Sequence, residues 1–295
     1  MSRVQSFLTD VETGLMNQKD SNANLYWFRK AVYLLLLLKM LLVWPELKTF
    51  YHHVTNAQGT IVGFSFSKLM FLPIFSSFVQ LWWGLACIVV AAATVLSAKR
   101  WLSILIFIIS LNYLSLFYLA TNSGDKLLNF FIFSLIFVNE KALKQQVSWM
   151  LNNATVLLVK INICAVYFLN GYGKILKSSW WDGSFMQKVW ELEYYTNLHL
   201  VPQWFSNPTV CLVTSWLVML FELGFPFLIW FSTMRKWLVP IGLIFHIFIA
   251  LFLSLPDFGL TMAAAYLLFV DKMGKVWSLK NNGNKKKRFN PEPLP

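Results

Sequence analysis

Residues 210–255 read VCLVTSWLVMLFELGFPFLIWFSTMRKWLVPIGLIFHIFIALFLSL. The stretch is apolar from Val210 to Phe231, breaks at Arg235 and Lys236, and is apolar again from Trp237 to Leu255. A helix needs about 20 apolar residues to cross a bilayer, so two such runs joined by a short basic turn predict a transmembrane hairpin. The pattern repeats outward. Toward the C-terminus, Pro256-Asp257 turns the chain into a further run from Phe258 to Val270. Toward the N-terminus lie Leu25 to Trp44, stopped by Pro45, then Phe75 to Leu96, Trp101 to Ala120, a shorter Leu127 to Val138, and Asn153 to Leu176. The expected fold is an all-α polytopic integral membrane protein with eight transmembrane helices in one bundle.

Composition points the same way. Of 295 residues, 57% are hydrophobic and only 13% charged, against roughly 25% charged in soluble domains. A net charge of +12 would suggest nucleic acid in a soluble chain. Here it follows from the tendency of cytoplasmic loops to collect Lys and Arg, and no nucleic-acid partner is expected. With eight spans, one side carries Arg3, Lys19, Arg29, Lys30, Lys99, Arg100, Lys141, Lys144, Arg235, Lys236, Lys272, Lys275, Lys280 and the basic run Lys285 to Arg288. The opposite side has Lys48, Lys68, Lys126, Lys174, Lys177 and Lys188. The basic side is expected to be cytoplasmic, with both termini on it and the chain integral to the inner (plasma) membrane. Residues 1–24 form a polar segment in which Val4, Phe7, Leu8, Val11 and Leu15 recur at near-helical spacing, as in a surface helix, and no secretory leader is expected there. Residues 25–272 make the membrane domain, and 273–295 a basic, disordered cytoplasmic tail. Cys87, Cys164 and Cys211 lie in or beside apolar runs and read as small packing residues.

Ionisable groups inside spans are costly, and each asks for a reason. Glu222 and His246 sit near the middles of adjacent, antiparallel runs. At matching depth they form a pair that relays a proton or holds a polar head group, or else a structural bond that fixes helix register. Lys174 lies near the outer end of its run, in Tyr167-Phe-Leu-Asn-Gly-Tyr-Gly-Lys174. A lysine acts as a base only when neutral, and low-dielectric surroundings favour that form; the alternative is a lysine snorkelling to the interface. Gly171 and Gly173 remove bulk, so a helix or ligand can approach. Trp180 and Trp181 suit the outer interface, and Asp182-Gly183 a turn. Lys39 and Lys160 either snorkel or pair with acids the sequence does not name. Adjacent His52 and His53 do not face one another on a helix, and no metal site is expected. No phosphate loop, serine elbow or zinc-protease motif is present.

Taken in order, Tyr167-Phe168, Gly171, Lys174, Trp180 or Trp181 and Gly183 resemble the Tyr-Phe, Gly, Lys, Trp, Gly signature of the vitamin K-dependent γ-carboxylase-like membrane domain, also called the horizontally transferred transmembrane domain (HTTM). Phe28-Arg29 at the start of the first run, Asn122-Ser-Gly-Asp125, Glu222, His246 and Phe258-Gly259 continue the resemblance along nearly the whole chain. In size the chain resembles the bacterial sporulation-delaying protein B branch, whose members accompany secreted peptide toxins. The resemblance implies Lys174 as catalytic base, with Glu222 and His246 as partners. It also implies a reduced quinone as cofactor, near Gly171, Gly173, Trp180 and Trp181. Two departures narrow this. The carboxylase's large extra-membrane domain has no counterpart, and Ser123-Gly124-Asp125 stands where the family has a histidine. What carries over is an outward-facing intramembrane pocket rather than full γ-carboxylation. Three functions remain open: a membrane-embedded carboxylase-like protein assisting maturation, modification or export of a secreted peptide; a non-catalytic accessory or immunity protein for a peptide toxin; and a small-molecule transporter, against which the lack of an inverted repeat counts.

Overall fold

The computed structural model describes residues 21–56, 79–96, 99–118, 120–138, 146–192, 196–197 and 200–270. The surface helix expected before residue 21, residues 57–78, the His52 and His53 side chains and the basic tail lie outside them. The described residues are helical, with no strand among them. In chain order the helices are α1 (Ser21–Leu42), α2 (Leu47–Asn56), α3 (Val79–Val95), α4 (Arg100–Leu116), α5 (Ser123–Ser134), α6 (Gln146–Ile175), α7 (Ser178–Trp181), α8 (Ser184–Glu191), α9 (Pro208–Leu228), α10 (Ser232–Phe252) and α11 (Pro256–Tyr266). Short 3-10 turns extend α5 and α11.

The all-α expectation holds. Three helices are long and apolar enough to cross a membrane: Met150–Ile175, Pro208–Leu228 and Ser232–Phe252. Val79–Val95, Arg100–Leu116 and Pro256–Phe269 are shorter apolar helices. α1 has the length but carries Arg29, Lys30 and Lys39. Large apolar side chains point outward along α9 and α10, among them Leu217, Leu220, Phe227, Trp237, Ile244 and Leu251. Contiguous apolar faces of this kind mark contact with a membrane or with another protein.

The core starts on α1. Phe28, Val32, Leu36 and Met40 recur at one-turn spacing and are fully or almost fully buried. Trp83 of α3 joins them, its indole donating to the Met40 carbonyl at 3.0 Å. Arg29 is also buried, and its guanidinium donates to the Ala93 and Leu96 carbonyls, both at 2.9 Å. It therefore satisfies carbonyls at the end of α3 that have no partner within the helix. Arg235 does the same for α9, donating to the carbonyls of Ile229 and Trp230 at 3.0 Å each.

Lys39 does not snorkel. Its ammonium pairs with Asp125 at 2.5 Å and with Asp257 at 2.6 Å. Both acids sit in the first turn of their helices, α5 and α11. A Cβ on Gly124 would meet the Phe258 backbone at 2.7 Å, so the two helix N-termini abut. Two carboxylates exceed one ammonium by a single negative charge. Each helix N-terminus carries roughly half a positive charge, so the pair of termini offsets the surplus. The node ties α1, α5 and α11 together at one end of the bundle.

The last four long helices pack as two pairs. α6 and α9 run antiparallel and close, because Gly171 has no side chain; a Cβ there would meet Glu222 Cβ at 3.1 Å and Leu223 Cγ at 3.0 Å. α10 and α11 pair in the same way, with Gly242 leaving the space that the Tyr266 hydroxyl fills. The N-terminal part of α9 is covered by α7, α8 and the turn Gln203–Ser206. Gly183, at φ +78°, lets the α7–α8 turn lie on the Leu212 backbone.

Candidate functional site

Lys174 and Glu222 meet across the α6–α9 interface. The ammonium donates to Glu222 Oε1 at 2.8 Å and to Oε2 at 2.6 Å. Their side chains are 18% and 9% exposed. The Lys174 ammonium also lies 5.0 Å from the Trp180 ring centroid, a cation–π contact. Trp180 is buried and stacks on Phe185 at 4.5 Å. Four residues expected at the site thus converge: Lys174, Glu222, Gly171 and Trp180. Each is there for a local reason. Gly171 brings α9 close, Lys174 stands one turn further along α6, and the Ser178–Trp181 turn folds Trp180 back over the ammonium.

Gly173 and Trp181 do not join them. A Cβ on Gly173 would meet nothing within 4 Å. Trp181 is exposed, donates to the Ile175 carbonyl at 2.7 Å and packs edge-on against Trp216. Asp182 accepts a 2.9 Å bond from the Ser184 amide, and bonding by the Ser184 hydroxyl and amide holds its carboxyl below the usual range.

The expected Glu222–His246 pair is not formed. Phe221 and Phe245, one position before each, face one another at 5.5 Å across α9 and α10. One residue further along a helix is a turn of about 100°, so Glu222 is carried toward α6 and His246 elsewhere. His246 Nε2 lies 2.5 Å from the Tyr167 hydroxyl, which lies 2.5 Å from the Tyr266 hydroxyl. Phe225 and Phe258 are among the rings that enclose this chain of bonds. His246 is 1% exposed, and the surrounding rings offer no carboxylate to hold a charged imidazole. The arrangement is a buried interhelix hydrogen-bond node in which His246 meets Tyr167 rather than Glu222.

Tyr167 and Tyr266 were not assigned a role by their spacing. Tyr167 did carry a signal: it stands seven positions before Lys174, two turns away on the same face of α6. Lys160 lies against the Phe269 ring at 5.3 Å, away from the site. Among the described residues, no group of three His, Cys, Asp or Glu side chains could hold a metal ion. Cys87, Cys164 and Cys211 are buried and free. Comparison of the chain with family models, with curated proteins and with solved structures returned no match.

Proposed function

We propose that this chain is an eight-span integral protein of the inner membrane, with both termini cytoplasmic. In this reading it assists maturation, modification or export of a secreted peptide through carboxylase-like chemistry at an outward-facing pocket. Lys174 is the base and Glu222 its proton partner. One observation carries the reading: a doubly hydrogen-bonded ammonium–carboxylate pair set between two apolar helices. Ionisable groups at such positions are rare, and they mark substrate or proton paths.

The pair suits proton transfer in a low dielectric. Moving one proton from Nζ to a Glu222 oxygen converts ammonium and carboxylate into amine and acid, with no change in net charge. The neutral Lys174 amine then takes a proton from a substrate and becomes ammonium again. Glu222 returns to carboxylate by passing its proton on to water. Trp180 offers a flat apolar wall and Lys174 a charged donor, which fits the ring and hydroxyl of the reduced quinone implied by the resemblance. Bound there, a quinone would supply redox chemistry with oxygen. The protein's own residues would hold the ring and place the base.

Lys174→Arg keeps the charge, but arginine is a poor base. Loss of peptide maturation in Lys174→Arg, with unchanged folding, supports catalysis. Full retention overturns it and favours the accessory or immunity role, for which the closed Lys174–Glu222 pair serves as a structural bolt. Native mass spectrometry of wild type against Lys174→Ala/Glu222→Ala adds a second readout. A co-purifying non-bilayer molecule lost only in the double variant supports the pocket; ordinary phospholipid alone in both samples counts against it.

A further inference from the structure

The N-terminal part of α9 carries a polar feature that this chemistry does not use. Cys211, Ser215 and Met219 follow at one-turn spacing, and all three are buried. Cys211 and Met219 pack in one cluster with Trp180, Met186 and Trp190 of the α7–α8 cap. Ser215 stands between them on the same stripe.

Neighbouring polar groups in this region are satisfied. The Cys211 thiol donates to the Phe205 carbonyl at 3.1 Å, and the Thr196 hydroxyl to the Val189 carbonyl at 2.5 Å. Two are not. Ser215 Oγ and Trp190 Nε1 have no hydrogen-bond partner among the described residues, although their side chains are 0% and 3% exposed. A buried indole N–H ordinarily finds an acceptor, and most buried polar side-chain atoms are paired. Both orphans stand on elements that pack against one another around one apolar cluster.

The chemistry of a partner for them follows from the donors and from the neighbouring charge. An indole N–H only donates, and a serine hydroxyl can donate as well, so the missing group is an acceptor. One turn beyond Met219 on the same stripe is Glu222, bound to Lys174, whose ammonium lies under Trp180 of this cluster. That pair is already neutral, and an anion placed beside it would be an uncompensated buried charge. A carbonyl carries no such cost. Phe205 and Phe248 flank Trp190 at 5.1 and 6.1 Å and give the rest of the molecule an apolar wall.

We infer that Trp190 Nε1 and Ser215 Oγ form a carbonyl-binding subsite beside Lys174–Glu222, which holds a neutral amide or ester oxygen of an otherwise apolar molecule. The inference rests on the pocket reading above and names the substrate class it would take.

The test is NMR of the full chain in detergent with ¹⁵N-labelled tryptophan, the Trp190 indole signal being assigned through Trp190→Phe. The probe is N-acetyl-leucine methylamide, which is neutral and carries two carbonyls. Titration is expected to move the Trp190 signal saturably, and Ser215→Ala to weaken binding about fivefold to tenfold, one hydrogen bond's worth. Without probe, Ser215→Ala is expected to leave the melting temperature unchanged or raised, because it removes an unpaired hydroxyl. An indole that already bonds a fixed water and ignores the probe overturns the subsite. So does equal binding by Ser215→Ala. Lys174→Arg keeps the subsite, so probe binding with full activity in that variant would sink the catalytic reading while leaving this one standing.

Discussion

Lys174 has three N–H groups: two bond the Glu222 oxygens, and the ammonium also lies 5.0 Å from the Trp180 ring centroid. Removing either charge strands the other in a poorly solvated place. Glu222→Gln is expected to cost about 3–5 kcal/mol, the usual loss when one member of a buried pair is removed. Lys174→Met/Glu222→Met should recover most of it, since apolar residues of similar volume replace a buried pair at little net cost. Thermal melts of the three proteins in one detergent check this, and a double variant no more stable than Glu222→Gln would show that the pair is solvated. Both members are legible in the sequence, because a charged residue within an apolar run demands a reason. Their pairing is not. Depth along adjacent runs suggested His246 for Glu222, but rotation decides, and rotation is set by Phe221 meeting Phe245. Tyr266 is hidden for a related reason: a tyrosine in an apolar run looks like packing until the hydroxyl's partner on another helix is known. Tyr167→Phe leaves His246 Nε2 and the Tyr266 hydroxyl without their bridge, at an expected cost of about 1–3 kcal/mol for unsatisfied buried groups. Tyr167→Phe should leave Lys174 chemistry intact, which separates the node from the site in a paired melt and activity measurement.

The long helices follow from runs of apolar residues and from their punctuation. Asn207-Pro208 begins α9, where the Asn207 side chain accepts from the Thr209 amide, and Asn122 with Asp125 forms a reciprocal capping box at the start of α5. Such signals are local, so the sequence shows them. The α7 and α8 cap is harder to read. Its helices are short and amphipathic, and their partners, Cys211 to Met219, lie on α9. The charged ties between elements are the least legible. Lys39 carries no mark of the two helix starts that it meets, and Arg29, prominent in the resemblance, turns out to cap α3. The Lys39 node predicts a clear asymmetry. Lys39→Met leaves two carboxylates facing one another with only helix termini to offset them, and is expected to destabilise by about 3–5 kcal/mol. Adding Asp257→Asn should recover part of that loss, because one helix N-terminus still complements Asp125. A half-exposed Asp257 that contributed nothing would leave the double variant as unstable as Lys39→Met, and thermal melts of both in one detergent distinguish the two outcomes.

At the scale of the molecule, the proposed topology makes a prediction about which helix ends and charges share a side. If each of the eight long segments crosses, the α3–α4 and α9–α10 turns share a side, and that side holds Lys99, Arg100, Arg235 and Lys236. The Lys39 node, the α4–α5 turn and the α7–α8 cap fall on the other. Length alone settles less, since α3 and α4 have 17 residues each, about 25 Å at 1.5 Å per residue, against a hydrocarbon core of about 30 Å. Single cysteines decide it. In a background with Cys87, Cys164 and Cys211 replaced, cysteine is placed at the exposed positions Lys99, Ser123, Ser206 and Ser232. An impermeant maleimide applied to intact cells should label positions 123 and 206, and reach 99 and 232 only after permeabilisation. The pairs also test individual crossings by parity. α5 and α6 both lie between positions 123 and 206, so these label together only if both helices cross or neither does. Labelling of 123 but not 206 from outside would remove α5, at 12 residues one of the two shortest of the eight, from the spans. It would also turn Lys174 to the cytoplasmic face, where a pocket for a secreted peptide has no use.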